Sequence, residues 1–179
     1  MKFAIPDKLE NQDIKDFRKK FSLTQQDLGN LLGLSKKTIE KWEAKDGCVT
    51  GAAVTVLKLM DENPNLLEQL RIDEKKYKYR FYYMAGNSIS TIIDVDYSKR
   101  EVAYKNYTNN VNRKAFGTKK EVTFEDFEEF LKSRCFPETR DNMKLMLRSL
   151  NIPFYDPFMI VEKTEGRMAE DNYWIRIER

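Results

Sequence analysis

The chain has 179 residues, with 32 Lys and Arg against 29 Asp and Glu, a formal net charge of +3 and no histidine. The absence of histidine excludes Ser-His and Cys-His nucleophile pairs and a His-ligated zinc site, and the two cysteines, Cys48 and Cys135, are too few for a disulfide framework. A charged share of 34%, no apolar run of about 18 residues and no signal-peptide pattern predict a folded, cytoplasmic protein that does not enter a membrane.

Aromatic residues divide the chain into two parts. Residues 1–71 hold four aromatic residues, whereas residues 72–179 hold the other 18, including all nine tyrosines. The change predicts two domains, a helical one over residues 1–71 and one with both helices and strands over residues 72–179.

The first part is predicted to be an all-α domain of five short helices. Thr24 and Ser35 are good N-caps, Gly33 suits the left-handed position after a helix, and Pro64 suits a first helical turn. Apolar residues recur at helical spacing between these signals. They are Ile14, Phe17 and Phe21; Leu28, Leu31 and Leu32; Ile39 and Trp42; Val54, Leu57 and Met60; and Leu67 and Leu70.

The segment from Thr24 to Glu43 has the spacing of two helices joined by a tight turn. Gly29 is placed where the two helices come closest, and Gly33 supplies the positive φ of the turn. Leu34 and Ile39 are expected to fill the wedge between the helices. Because Ser35 caps the second helix, that helix projects outward and exposes its lysines.

The region from Ile14 to Met60 resembles the Cro/C1 (XRE) class of helix-turn-helix repressors, although Gly29 stands where the class usually has Ala. The resemblance rests on Gln25, Gly33, Ser35, Ile39 and the Trp42-Glu43 pair. It implies a double-stranded DNA operator with two half-sites, and hence a homodimer. The residues to which it assigns DNA binding are Gln25, Gln26, Ser35, Lys36, Lys37, Thr38 and Lys41. The alternative is a helical bundle that serves only dimerisation or protein docking.

The second part is predicted to be α+β with a small antiparallel sheet. Period-two alternation places Ile89, Thr91, Ile93, Val95 and Tyr97 on one strand face. Neighbouring strands are expected at residues 79–84 and 100–107, with a closing strand at 173–177. Three helices are expected before the closing strand. The first carries Phe124 to Leu131, the second carries Met143 to Leu150, and the third follows Asp156-Pro157.

Residues 99–120 hold seven basic residues against one acid, Glu101, and aromatic residues lie between them. This pattern favours a contact surface for nucleic acid or an acidic protein. The candidate partner-binding residues are Arg113, Lys114, Lys119 and Lys120. The alternative is a solvated strand and loop.

The remaining candidate residues give little support for a metal site or a catalytic site. Asp94 and Asp96 alternate onto one strand face, as paired metal ligands would, but the favoured interpretation is a solvent face opposite Ile93 and Val95. Cys135 is predicted to be a small buried residue. We therefore expect no catalytic residue, no metal and no cofactor.

These observations predict a DNA-binding transcriptional repressor of its own operon whose second domain binds another macromolecule. The organisation of the whole chain resembles a type II-A anti-CRISPR protein fused to a helix-turn-helix autorepressor, which implies a mobile element and inhibition of the Cas9 ribonucleoprotein. Two alternatives remain. One is an antitoxin that represses its operon and neutralises a toxin. The other is a nucleic-acid enzyme, for which histidine and a convincing acid cluster are missing.

Overall fold

The computed structural model describes residues 3–179, which form two compact units, one ending at Arg71 and one beginning at Ile72. Each unit has its own hydrophobic core. In the part of the chain described, no helix is long and apolar enough to cross a membrane.

The first unit contains the five predicted helices. They are α1 (Asn11–Lys20), α2 (Gln25–Leu32), α3 (Lys36–Trp42), α4 (Ala52–Glu62) and α5 (Pro64–Leu70). The structure adds a short antiparallel ribbon in which β1 (Lys8–Glu10) pairs with β2 (Cys48–Thr50). Leu9 lies opposite Val49 in this ribbon, and both contribute to the core.

The core of the first unit consists largely of the apolar residues that helical spacing predicts. Its buried residues are Ile14, Phe17, Leu28, Ile39, Val49, Val54, Leu57, Met60 and Leu67. Leu70 is different, because 55% of it is exposed.

The second unit is α+β, as predicted. Its four-stranded antiparallel sheet has the order β5-β4-β3-β6, with β3 (Tyr79–Ala85), β4 (Ser88–Asp96), β5 (Glu101–Asn106) and the closing strand β6 (Tyr173–Glu178). The helices are α6 (Phe124–Ser133), α7 (Met143–Ser149) and α8 (Pro157–Thr164). One sheet face packs against them in an aromatic-rich core that includes Phe81, Ile93, Phe127, Ile160 and Ile175.

A β-bulge in β4 moves one residue to the face opposite the predicted one. Tyr83 pairs with Thr91, but Met84 pairs with Ile89, so Ser90 is an extra residue on β4. One extra residue reverses the alternation of side chains that follows it. Ile89 therefore joins a small cluster on the other face of the sheet, and the prediction that it shares a face with Thr91 is wrong.

The prediction that Asp94 lies on a solvent face is also wrong. Asp94 is buried and forms a bidentate ion pair with Arg80, with oxygen–nitrogen distances of 2.6 and 2.7 Å. It also accepts a hydrogen bond from the backbone N–H of Lys76. Asp96 accepts hydrogen bonds from the backbone N–H groups of Ser98 and Lys99 at the end of its strand. Both carboxylates thus make contacts that hold parts of the second unit together.

Candidate nucleic-acid interface

The backbone of the turn between α2 and α3 passes close to Gly29 of α2, as the sequence predicts. Gly33 ends α2 with φ +68°, and the backbone N–H of Leu34 donates to the carbonyl oxygen of Gly29 at 2.7 Å. A Cβ on Gly29 would lie 2.7 Å from the carbonyl oxygen of Leu34. Glycine lowers helix stability by about 1 kcal/mol relative to alanine. Because it has no Cβ, the backbone of the turn can pass close to α2.

The helix α3 is anchored on its inner side and capped at its start. Ile39 is completely buried. The Ser35 hydroxyl accepts a hydrogen bond from the backbone N–H of Thr38 at 3.2 Å, and the two hydroxyls of these residues lie 2.9 Å apart. With these contacts in place, the outer side of α3 presents Lys36, Lys37 and Lys41 to solvent.

Glu43, directly after α3, ties the first three helices together. It is 7% exposed, and its carboxylate accepts from Arg18 Nε of α1 at 2.7 Å and from Gln25 Nε2 of α2 at 2.9 Å. Burial alone would raise the pKa of the Glu43 carboxyl. The hydrogen bonds from Arg18 and Gln25, with the charge of Arg18, outweigh burial and hold that pKa below its usual range.

The predicted DNA-binding residues lie on adjacent parts of α2 and α3, but they differ in their surroundings. Lys37 and Lys41 have no carboxylate within 4.0 Å among residues 3–179, whereas Lys36 lies 3.5 Å from Glu40. Gln26 is exposed and donates to Asn30 at 2.9 Å. Gln25 uses one amide N–H for Glu43, which leaves its second N–H for another acceptor.

Arg18 is the residue at this site that the sequence analysis missed. It lies in the last turn of α1, where a basic residue is common because it complements the helix dipole. Only its partner Glu43, 25 residues away, reveals its role. A basic residue at a helix end carries no signal for a contact at that separation.

The basic segment 99–120 in the second unit is partly neutralised by acids from other elements. Arg100 pairs with Glu125 at 2.7 Å, Lys105 pairs with Asp73 at 3.1 Å, and Lys119 pairs with Asp126. Within the described part of the chain, three candidate residues have no carboxylate within 4.0 Å. These are Arg113, Lys114 and Lys120.

Two aromatic residues of this segment, Phe116 and Tyr104, make contacts within the second unit. Phe116 is buried in the core. The Tyr104 hydroxyl donates to the backbone carbonyl oxygens of Lys119 and Lys120, at 2.8 and 3.1 Å. These two aromatic side chains therefore hold the loop onto the fold.

Comparison with known proteins identifies the first unit. Residues 14–57, which run from α1 into α4, match the family model described as helix-turn-helix. No curated protein and no solved structure matches the chain, so the comparisons support neither an anti-CRISPR nor an antitoxin role. The match and the geometry of α2 and α3 agree, and the first unit is a helix-turn-helix domain, the module with which DNA-binding transcription regulators contact their sites.

Proposed function

We propose that this protein is a sequence-specific repressor that binds an operator in its own promoter through α3. The observation that carries the proposal is the pair of exposed ammonium groups of Lys37 and Lys41, which lie on a helix anchored by Ile39. Neither lysine is held by a carboxylate in the described part of the chain, so both are available to DNA.

The chemistry of the exposed residues suits the major groove. A lysine ammonium can donate to the O6 and N7 acceptors of guanine, and glutamine can pair with adenine. The second amide N–H of Gln25 and the one hydroxyl hydrogen that the Ser35–Thr38 hydrogen bond leaves free can donate to phosphate oxygens, which positions α3 without reading sequence. A seven-residue helix reaches few base pairs, so we propose that two copies read two half-sites.

We propose that the second unit binds another macromolecule through Arg113, Lys114 and Lys120. These side chains lie on one short stretch of chain and lack acidic partners among residues 3–179. Arg113 and Lys120 are exposed and Lys114 is half-buried, so their charges are available for phosphates or carboxylates. The Cas9-inhibitor and antitoxin interpretations differ in the identity of that macromolecule.

The DNA-binding proposal is tested with the full chain and a DNA fragment of its own promoter. We expect Lys36→Ala, Lys37→Ala and Lys41→Ala together to abolish specific binding. Lys37→Ala alone should cost about 1–3 kcal/mol if the side chain reads a base. If it contacts a phosphate instead, the variant should weaken binding to all sequences and lower the salt slope by about one.

The matched control removes three exposed lysines from the second unit outside the basic segment, with Lys132→Ala, Lys144→Ala and Lys163→Ala. It changes the net charge equally and should keep specific binding, as measured by fluorescence anisotropy against a scrambled fragment. If the α3 triple variant binds the promoter as the wild type does, α3 is not the recognition helix.

A further inference from the structure

The sheet of the second unit ends in two edge strands, β5 and β6, whose outer backbone groups are used differently. At the β6 edge, the N–H of Ile175 donates to the carbonyl oxygen of Glu165 at 2.7 Å. The guanidinium of Arg134 donates to the carbonyl oxygen of Tyr173 at 3.1 Å. Other residues of the same unit therefore occupy part of the β6 edge.

The hydrogen-bond pattern of β5 shows which of its backbone groups point outward. The N–H of Tyr107 donates to the carbonyl oxygen of Ser90 at 2.8 Å. Because hydrogen-bonded and non-hydrogen-bonded residues alternate along an antiparallel pair, the backbones of Ala103 and Lys105 also face β4. The backbone groups of the residues between them face away from β4. These outward residues, called here the β5 edge, are Val102, Tyr104 and Asn106.

In the described chain, no hydrogen bond reaches the backbone N–H or C=O groups of the β5 edge. These donors and acceptors alternate along one line, which is the template for another strand. An extended polypeptide offers acceptors and donors in the same alternation. The nucleic-acid backbone presents phosphate oxygens, which would suit the N–H groups but would face the carbonyl oxygens unfavourably.

Two basic residues are held beside the β5 edge. The Tyr104 hydroxyl donates to the carbonyl oxygen of Lys120 at 3.1 Å. The Thr91 hydroxyl accepts from the backbone N–H of Ala115, the neighbour of Lys114, at 3.2 Å. Tyr104 and Thr91 lie on the sheet face that packs against the helices, so both basic residues lie on that side of β5.

These charges indicate the chemistry of the polypeptide that fits. Side chains at alternate positions of an added strand point to one sheet face, so carboxylates at those positions would meet Lys114 and Lys120. Neither lysine has a carboxylate within 4.0 Å among the described residues. A second copy of β5 is disfavoured, because a two-fold pair of these strands would bring the same cations together.

We propose that β5 binds an extended acidic polypeptide segment as an additional strand of the sheet. This inference rests on the proposed partner binding by the second unit, and it adds the kind of partner and the way in which the partner is held. The backbone ladder supplies affinity, and Lys114 and Lys120 select acidic side chains at alternate positions.

The first experiment titrates the full chain with a labelled peptide of about eight residues that alternates Thr and Glu, a length that matches a typical strand. Fluorescence anisotropy should show binding at or below about 1 mM. At a peptide concentration about ten times the Kd, NMR should show amide exchange at the β5 edge slowed about tenfold. The N–H groups of Ala103 and Lys105 already face β4, so their exchange should change less.

Two further peptides separate strand addition from charge attraction. A fully N-methylated Thr-Glu peptide has no internal N–H donors but the same charge, and it should not bind. A peptide that alternates Thr and Lys can form the ladder but has the wrong charge, and it should bind more weakly than the Thr-Glu peptide.

A variant of the chain tests the same contact from the other side. Val102→Pro removes an outward N–H, and proline is tolerated where a strand N–H faces solvent. It should weaken Thr-Glu peptide binding by about three- to tenfold. The matched control Val102→Thr keeps the N–H and should bind as the wild type does. Circular dichroism should show both variants folded, and if Val102→Pro does not fold, the three peptides decide.

Strand addition is overturned if the Thr-Glu peptide does not bind by about 1 mM, if its N-methylated form binds equally, or if exchange at the β5 edge does not slow. Slow exchange at the β5 edge that depends on protein concentration without peptide would make the occupant a second copy, and would also overturn the inference.

The variant with Arg113→Glu, Lys114→Glu and Lys120→Glu distinguishes this inference from the proposed function. It should lose Thr-Glu peptide binding, while a variant with Lys132→Glu, Lys144→Glu and Lys163→Glu should keep it. Charge-dependent binding without slower exchange at the β5 edge would overturn strand addition and leave the basic surface standing. Binding with slower exchange that is equal in both variants would overturn the basic surface and leave strand addition standing.

Discussion

The backbone of Gly33 decides whether α3 can follow α2 directly. Its φ of +68° lies in the left-handed region, and a Cβ built at this position would have no heavy atom within 4 Å among the described residues beyond its two chain neighbours. A Cβ there meets no steric obstacle from the rest of the described fold. The cost of adding it is therefore the cost of the backbone conformation.

We expect Gly33→Val to destabilise the first unit by at least about 2 kcal/mol, because an ordinary side chain in this conformation costs about 1–2 kcal/mol and a β-branched one costs more. Gly33→Asn should cost less, since asparagine adopts this conformation most readily after glycine. The check is urea unfolding followed by Trp42 fluorescence in a Trp174→Phe background, which removes the other tryptophan of the chain. Equal stability of the two variants would show that the turn does not need a positive φ.

Among the helices of the first unit, the Glu43 carboxylate joins α1, α2 and α3. Its carboxylate is almost completely buried and faces Arg18 and Gln25, with the charge of Lys15 nearby. Removing the charge leaves Arg18 without its ionic partner, which is costly because a hydrogen bond to a charged group contributes about 1.5–3 kcal/mol.

We expect Glu43→Gln to lower the free energy of unfolding at pH 7 by about 1.5–3 kcal/mol. The folded-state pKa of Glu43 lies below its unfolded value, so its contribution is present above the unfolded pKa and is lost as the pH falls through the folded pKa. The difference between wild type and variant should therefore shrink as the pH is lowered below about 4.3.

Urea unfolding at a series of pH values, again followed by Trp42, measures this difference. Asp27 and Asp171 also have lowered pKa values through their hydrogen bonds to Thr24 and Arg134. They contribute equally in wild type and variant, so they cancel in the comparison. A difference that stays constant from neutral to acid pH would mean that the Glu43 charge does not stabilise the three helices.

At the level of the whole molecule, the two units have separate cores. We therefore expect the proposed operator binding and the proposed partner binding to be separable by mutation. The three candidate residues without acidic partners in the described part of the second unit, Arg113, Lys114 and Lys120, give the sharpest test. Lys119 is left unchanged, because its ion pair with Asp126 helps to hold the start of α6.

We expect Arg113→Glu, Lys114→Glu and Lys120→Glu together to abolish binding of the second macromolecule, because the reversal replaces attraction by repulsion. Operator affinity and its salt slope should match those of a control with Lys132→Glu, Lys144→Glu and Lys163→Glu, within about twofold, since both variants have the same net charge. Anisotropy titrations over a range of salt concentrations check this. A lower operator affinity than the control would instead make the segment part of the DNA footprint.

The sequence by itself determined the features that depend on neighbouring residues. The five helices, the N-caps at Thr24 and Ser35, the turn at Gly33 and the class of each unit follow from spacings of one to four residues. Those interactions are encoded locally, because a helix repeats every 3.6 residues and a cap acts within its first turn. The outward position of the α3 lysines follows from the same repeat.

The tertiary structure alone decided the contacts between residues that are distant in the chain. The three-residue ribbon strands are too short to show an alternation, and the bulge at Ser90 depends on how β3 and β4 align. The ion pairs of Arg18 with Glu43 and of Arg80 with Asp94 join residues 25 and 14 apart. Strand register and helix packing determine which charges meet, so local sequence patterns do not reveal which basic residues are paired with acids from other elements.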